Sequence, residues 1–406
     1  LTCSIEDIWS CVKEAAKVLK PIIHRTPLDR SATFSRMCGG EVFLKLENLQ
    51  KTGSFKIRGA YYKLWKTLRE KSITTCVAAS SGNHAQGVAY AASMLGVKAI
   101  IVMPEYTPVA KIAATKGYGA EVVLYGRTYD EAYLKALEIC RRLKAEFIHP
   151  FDDPYVIAGQ GTIGIEIYED LKNVDVVLVP VGGGGLISGV AIALKRLNPR
   201  VKIIGVQAEG APAMALSLRE GRIVRYENPD TIADAIAVKE PGKLTFSIIE
   251  ELVDDIVLVD DNEIAYAVFM LLERCKCVAE PAGALGVAAL LSEKVDARRK
   301  RVVAIVSGGN IDMALLARII ERMLFVEGRE VRIRGVLPDR PGMLKRVLEV
   351  LAEAKANIVT IEHDRANPSL RPGKAEVTIT IEVPAMEHVG ELLARLKRIG
   401  YEFRVV

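Results

Sequence analysis

The stretch VDVVLVPVGGGGLISGVAIALKRL, Val174 to Leu197, sets a short apolar run against four glycines and then an apolar pattern of helical period. A run this short and this apolar reads as a strand buried on both faces, and the residues after Gly185 read as the helix packed on it. The glycines between them let the backbone approach a ligand closely. The N–H groups at the positive end of the helix dipole then form a cup for an anion. No Lys-Ser or Lys-Thr follows, so the loop is not a P-loop. Two other readings stay open at this point. One is a dinucleotide fingerprint made by Gly183, Gly185 and Ser188, with Glu209 about 24 residues on and the third glycine missing. The other is a structural turn with no ligand.

Outward from this unit the same alternation recurs. TCVAA, KAIIVM and AEVVLY are followed by HAQGVAYAASML, PVAKIAATKG and YDEAYLKALEICRRL, and beyond the glycines come VKIIGVQAE and RVVAIVS. Strands too short to be helices, each covered by an amphipathic helix, predict an α/β fold of parallel sheets in two lobes. The stretch HPFDDPYVIAGQGT, His149 to Thr162, carries prolines and glycines that fit neither period and is read as an irregular crossing between the lobes. The smaller lobe is expected at about 60–153, inserted in the larger. After Val326 the register changes. EVRIRGVLPD alternates like a half-exposed strand, PGMLKRVLEVLAEAKA is a helix opened by proline, IVTIEHDRA and KAEVTITIEVP form a hairpin, and MEHVGELLARLKRIG and YEFRVV add a helix and a strand. The order β-α-β-β-α-β is ferredoxin-like. The expected domains are therefore residues 1–326 and 327–406.

The 406 residues carry a net charge of +5 and are half hydrophobic and about a quarter charged, a globular composition. Apolar runs are broken well before the roughly 20 residues a membrane span needs, and Glu6 with Asp7 interrupts any secretory signal. The basic run ARRKR, Ala297 to Arg301, is too short for a nucleic-acid surface. Seven cysteines without paired spacing fit neither a disulfide framework nor a metal site; they predict reduced thiols in the cytoplasm.

TGSFKIRGA, Thr52 to Ala60, places Lys56 between Phe55 and Ile57. Such a lysine either snorkels, with its ammonium in water, or sits in a water-poor pocket where its neutral amine can capture a carbonyl compound. AASSGNHAQGVAY, Ala78 to Tyr90, is a second strand-to-helix junction, suited to a carboxylate. His84 opens that helix, so a capping or solvent-facing role is expected of it. VAIVSGGNID ends a third strand with Ser307, Gly308, Gly309 and Asn310. A lysine nucleophile, a phosphate cup, a carboxylate cup and a neutral hydroxyl are the parts needed to hold pyridoxal phosphate and an amino acid.

Taken in order, RTPL, LKLENLQKTGSFKIRGA, SSGNHAQGVAYAA, HPFDDP, GQGT, GGGGL, EPAGA and SGGN resemble the threonine dehydratases (threonine ammonia-lyases) and their relative serine racemase, in the tryptophan-synthase-like class (fold type II) of pyridoxal-phosphate enzymes. The segment from about Glu330, with LPDRPGML and ANI, resembles an ACT domain. The resemblance implies that Lys56 carries the cofactor as a Schiff base and takes the Cα proton. Gly182, Gly183, Gly184, Gly185 and Leu186 would hold the phosphate, Asn83 the phenolic oxygen, and Ser307 would face the ring nitrogen. Ser80, Ser81, Gly82 and His84 would grip the substrate carboxylate, and Ser81 or the cofactor phosphate would protonate the leaving hydroxyl. No metal is expected: serine racemase takes its cation ligands after the strand that ends here at Glu209, and GAPAMALSL offers no further carboxylate.

The implied reaction is β-elimination from L-threonine or L-serine to a 2-oxo acid and ammonia. Serine racemase or hydroxyaspartate dehydratase activity, or an amino-acid sensor without catalysis, are the alternatives. In the ACT segment, isoleucine or valine would bind at Leu337, Asp339, Gly342, Met343 and Leu344 with Asn357 and Ile358, across a pair of modules in a homodimer or tetramer. No nucleic-acid or membrane partner is expected.

Overall fold

The structure, a computed structural model, describes residues 4–383 and 387–406, leaving Cys3 and Met386 outside the description. It divides into two compact units, Leu1–Asp312 and Met313–Val406.

The first unit is built on two sheets. The larger has six strands in the order Leu28–Arg30, Glu41–Leu46, Arg301–Val306, Val176–Pro180, Lys202–Ala208 and Asp255–Val259, with only the first pair antiparallel. Its central strands read as continuous apolar runs because both faces are covered. Val177, Val179, Val303 and Ile305 point into one core together with Ile187, Val190 and Leu194 of the helix Gly185–Leu197. Leu178 and Ala304 point the other way, towards Gly286 of the helix Pro281–Leu291. The smaller sheet is all parallel, in the order Glu121–Leu124, Lys98–Met103, Thr75–Ala79 and Glu146–Phe147. Val77, Ala79, Ile100 and Val102 face the helix Tyr129–Leu143, and Cys76, Ala78, Ile101 and Met103 face the helix Asn83–Leu95.

The expected irregular crossing is mostly helix. Asp153 caps it with bonds from the Tyr155 and Val156 N–H groups, Pro154 takes the first turn, and the helix runs Pro154–Asp170 straight through Gly159 and Gly161. Those glycines are there for packing. A Cβ at Gly159 would lie 2.6 Å from the Gly59 Cα, and one at Gly161 would lie 2.9 Å from the Gly189 carbonyl oxygen. The helix therefore presses its backbone against the helices Lys56–Glu70 and Gly185–Leu197. A sequence pattern that reads glycine as a breaker misses this use.

In the second unit the helix Met313–Val326 precedes a four-stranded antiparallel sheet in the order Asn357–Asp364, Lys374–Glu382, Glu330–Pro338 and Phe403–Val405. The helices Met343–Glu353 and Glu387–Arg398 complete a ferredoxin-like β-α-β-β-α-β order. Val331, Ile333 and Leu337 are buried while Arg332 and Val336 are exposed, the alternation of a sheet covered on one face. The first helix starts after Gly342 at φ +88° rather than at Pro341, a left-handed turn that glycine makes without a Cβ clash. Among the described residues no helix is long and apolar enough to cross a membrane.

Candidate active site

In parallel sheets, ligands settle beyond the carboxyl ends of the strands. Three strands of the first unit, Thr75–Ala79, Val176–Pro180 and Arg301–Val306, end in the loops Ser80–Asn83, Gly182–Gly185 and Ser307–Asn310. All three loops open into one cavity of about 970 Å³, lined also by Lys56, His84, Leu186 and Glu280. The structure thus brings together every candidate residue from this part of the sequence.

Lys56 reaches the cavity because the segment before it is tied to the third loop. The Phe55 N–H donates to the Ser307 carbonyl at 3.1 Å and the Gly309 N–H to the Gly53 carbonyl at 2.9 Å. The lysine is the first residue of its helix, and its Nζ donates to the Pro150 carbonyl at 2.8 Å. This is not a snorkelling side chain. Loss of water around the amine lowers its pKa to about 8, against the opposing pull of Glu280.

The amide of Asn83 is clamped on both sides. Its Nδ2 donates to Glu280 Oε1 at 2.6 Å and its Oδ1 accepts from Asn310 Nδ2 at 2.7 Å, which leaves one amide proton uncommitted by these bonds. Glu280 stands at the start of the helix Pro281–Leu291, but its carboxylate does not cap that helix. The side chain turns into the cavity instead, is only 6% exposed, and is pushed up to about 7, first by burial and then by Asp234. Ser307 is buried beside it.

The glycine loop is fixed by backbone geometry and packing together. Gly184 has φ +97°, and a Cβ there would lie 2.8 Å from Thr245 Cβ; Thr245 Oγ1 donates to the Gly183 carbonyl at 2.6 Å. Phe151 lies against Gly183 and Gly185, whose own Cβ atoms would overlap it. The helix Gly185–Leu197 begins with no side-chain cap, so its first N–H groups face the cavity as an anion cup.

His84 corrects the expectation of a capping or solvent-facing role. It is buried, and its Nε2 bonds the Ile148 carbonyl at 2.9 Å, so Nε2 carries the proton. Burial, reinforced by Lys56, lowers its pKa to about 3 and keeps the ring neutral.

Sequence reasoning missed Glu280, Pro150 and Asn310 as working parts, although EPAGA, HPFDDP and SGGN contain them. A glutamate before a proline reads as a helix start, and no periodicity reveals that its carboxylate points away from the helix. A backbone carbonyl partner leaves no sequence signal at all. At the mouth, Asp130 pairs with Arg225 at 2.9 Å and Lys239 at 3.0 Å, while Lys111 pairs with Asp234 at 2.7 Å. These pairs tie the small-sheet helices to the segment between the helices Ala213–Glu220 and Lys243–Leu252.

Residues 19–308 match the family described as pyridoxal-phosphate dependent enzyme, and residues 327–401 match the ACT domain. An L-threonine ammonia-lyase of Thermotoga maritima is 51% identical over 403 residues, 99% of each chain. Among solved structures, the processed form of threonine deaminase isoform 2 from Solanum lycopersicum is 41% identical with a TM-score of 0.75, over 78% of this chain and 87% of that one. Maize serine racemase is 36% identical with a TM-score of 0.74, over 79% of this chain and 98% of its own.

Proposed function

The chain belongs to the pyridoxal-phosphate dependent enzymes and carries an ACT domain later in its sequence, and on that premise we propose that it is a threonine ammonia-lyase. It eliminates the β-hydroxyl of L-threonine and releases 2-oxobutanoate and ammonia; L-serine, one methyl smaller, gives pyruvate by the same route. The observation that carries the reading is that a lysine amine of lowered pKa opens into the same cavity as a glycine loop at a helix N-terminus.

The residues present fit the cofactor. Gly182, Gly183, Gly184, Gly185 and Leu186 offer N–H groups and a helix dipole to its phosphate, where side chains at Gly183 and Gly184 would collide with their neighbours. When bound, pyridoxal phosphate supplies an aldehyde that captures amines and a ring that draws electrons from the substrate Cα. Asn83, held by Glu280 and Asn310, would offer its remaining amide proton to the phenolic oxygen, and Ser307 would face the ring nitrogen with a neutral hydroxyl.

With the cofactor bound, Lys56 would be its tether, and the same amine is the base placed to take the Cα proton. A pKa lowered to about 8 leaves far more of that amine neutral at physiological pH than an ordinary lysine keeps. Ser80, Ser81, Gly82 and His84, around the N-terminus of the helix Asn83–Leu95, hold the substrate carboxylate. Ser81 lines the cavity and passes a proton to the departing hydroxyl.

The test is incubation of the purified chain with L-threonine and with L-serine. Equal amounts of 2-oxobutanoate and ammonia from threonine support the reading. D-Serine formed from L-serine without pyruvate would place the chain with the racemases, and no product from either would leave hydroxyaspartate elimination and amino-acid sensing, which incubation with hydroxyaspartate separates.

Regulation belongs to the second unit. Isoleucine or valine binds at Leu337, Asp339, Gly342, Met343 and Leu344 with Asn357 and Ile358, across a pair of these units in a dimer or tetramer. The helix Met343–Glu353 begins without a side-chain cap, and Met343, Leu344 and Ile358 are half-buried apolar neighbours for an aliphatic side chain. The proposed setting is the cytoplasm, where thiols such as Cys76 and Cys277 stay reduced. Hydrogen exchange on the full chain with added isoleucine or valine checks the site. Protection confined to residues 337–344 and 357–358 supports it, and protection elsewhere or none refutes it.

A further inference from the structure

Two residues beyond Lys56, Arg58 points the opposite way, into the interior, and is wholly buried. All five of its guanidinium protons are used. Nε and Nη2 donate to Glu47 at 2.8 and 2.7 Å, Nη1 and Nη2 to Glu166 at 2.7 and 2.9 Å, and Nη1 also to Thr162 Oγ1 at 3.0 Å. The acids are held in turn. Lys45 Nζ donates to Glu166 at 2.6 Å and to the Thr26 carbonyl at 2.7 Å, and Thr26 Oγ1 donates to Glu47 at 2.5 Å. Two cations and two anions balance, so the cluster is neutral, and each of its charged groups is hydrogen-bonded to an opposite charge.

The anchors are the two structures that Lys56 itself must face. Glu47 directly follows the strand Glu41–Leu46, whose Leu46 pairs with Val306 beside Ser307. Thr162 and Glu166 lie on the helix Pro154–Asp170, which leads away from Pro150, the partner of Nζ. The helix Lys56–Glu70 has no side-chain cap at Phe55, and its start is held by backbone N–H groups, that of Phe55 on the Ser307 carbonyl and that of Gly59 on Gln160 Oε1 at 3.2 Å. The fork of Arg58 adds a side-chain restraint to these, because a planar guanidinium bonded bidentately fixes orientation as well as distance.

We propose that Arg58, clamped by Glu47 and Glu166, is a positioning residue that holds the first turn of its helix so that the Lys56 amine keeps its place between Pro150 and Ser307. This rests on the reading of Lys56 as the reactive amine. A small displacement of a catalytic group lowers turnover about a hundredfold without a matching effect on substrate binding.

The test uses two variants of the full chain. Arg58→Lys keeps the charge but cannot make five bonds; Arg58→Met with Glu47→Gln removes one charge of each sign and leaves Lys45 paired with Glu166. In the loaded enzyme, kcat is expected to fall roughly ten- to a hundredfold in both, with the KM for threonine changed less than about threefold. With the cofactor stripped, reductive methylation of lysines across pH, read by mass spectrometry, gives a second measure. The midpoint at Lys56 should move from near 8 towards that of an ordinary lysine as the first turn loosens. If both variants melt at lower temperature but keep the wild-type kcat and the wild-type Lys56 midpoint, the cluster only stabilises the fold and the proposal is overturned. If Lys56→Ala retains turnover, the underlying reading fails first and takes the proposal with it.

Discussion

The two units treat charge in opposite ways. In the first, Lys45, Glu47 and Arg58 are fully buried, and Glu280 lies almost out of reach of water. In the second, the buried polar side chains among the described residues are the hydroxyls Thr378 and Thr380, and ion pairs such as Lys345 with Glu349 and Arg365 with Asp339 lie at the surface. Removing a charge from water is expensive, and an apolar replacement of the same shape is often as stable. The second core therefore represents what stability alone asks for. The first core carries charges where chemistry asks for them, at the cavity and directly behind the helix that presents its lysine.

Substitutions that remove one charge at a time test this contrast. The largest effect is expected for Lys56→Ala, which deletes both tether and base: turnover should fall more than a hundredfold while the fold survives, and retention of more than about a hundredth of the wild-type rate would break the assignment. Next comes Glu166→Ala, which leaves Arg58 and Lys45 facing Glu47 alone. It should destabilise the first unit by about 3–5 kcal/mol, measured by hydrogen exchange in peptides of that unit.

Glu280→Gln sharpens the contrast through pH. Its carboxyl is raised in the folded chain to about 7, so the folded state binds the extra proton between about 4.5 and 7, and the penalty for burying the anion is complete above that window. Without cofactor, the glutamine variant should be more stable than wild type by up to about 3 kcal/mol at pH 8 and equal to it near pH 4.5. Denaturant titrations at the two pH values check this, and a pH-independent difference would mean that Glu280 is not held in the protonated form. The smallest effect is expected in the second unit, where Lys345→Ala breaks an exposed pair with Glu349 and should change stability by less than about 0.5 kcal/mol. A loss of several kcal/mol there would erase the distinction between the units.

The same contrast explains what was legible in the sequence. The second unit follows from alternation, because Val331, Ile333, Gly335 and Leu337 face an apolar core and the residues between them do not. In the first unit the strand-helix rhythm and the glycine loop were readable, yet the strands Glu41–Leu46 and Asp255–Val259 were not expected and Gly159 was taken for a break. Lys45 and Glu47 look like the exposed members of an alternating strand, and only the folded chain reveals that each faces an opposite charge. Glu280 was hidden for the same reason: its partners lie about 200 residues away in the chain, too far for any local pattern to register.

The close crossing at Gly59 and Gly159 also has a mechanical meaning. The chain passes to the smaller sheet through the helix Lys56–Glu70 and returns through Pro154–Asp170, and at the crossing the two backbones touch. No side chain separates them there, so the two connections are held in register by main-chain contact rather than by rotamers that can change. Lys56 lies within one helical turn of this crossing, so the place from which its amine reaches the cavity is set by main chain on main chain.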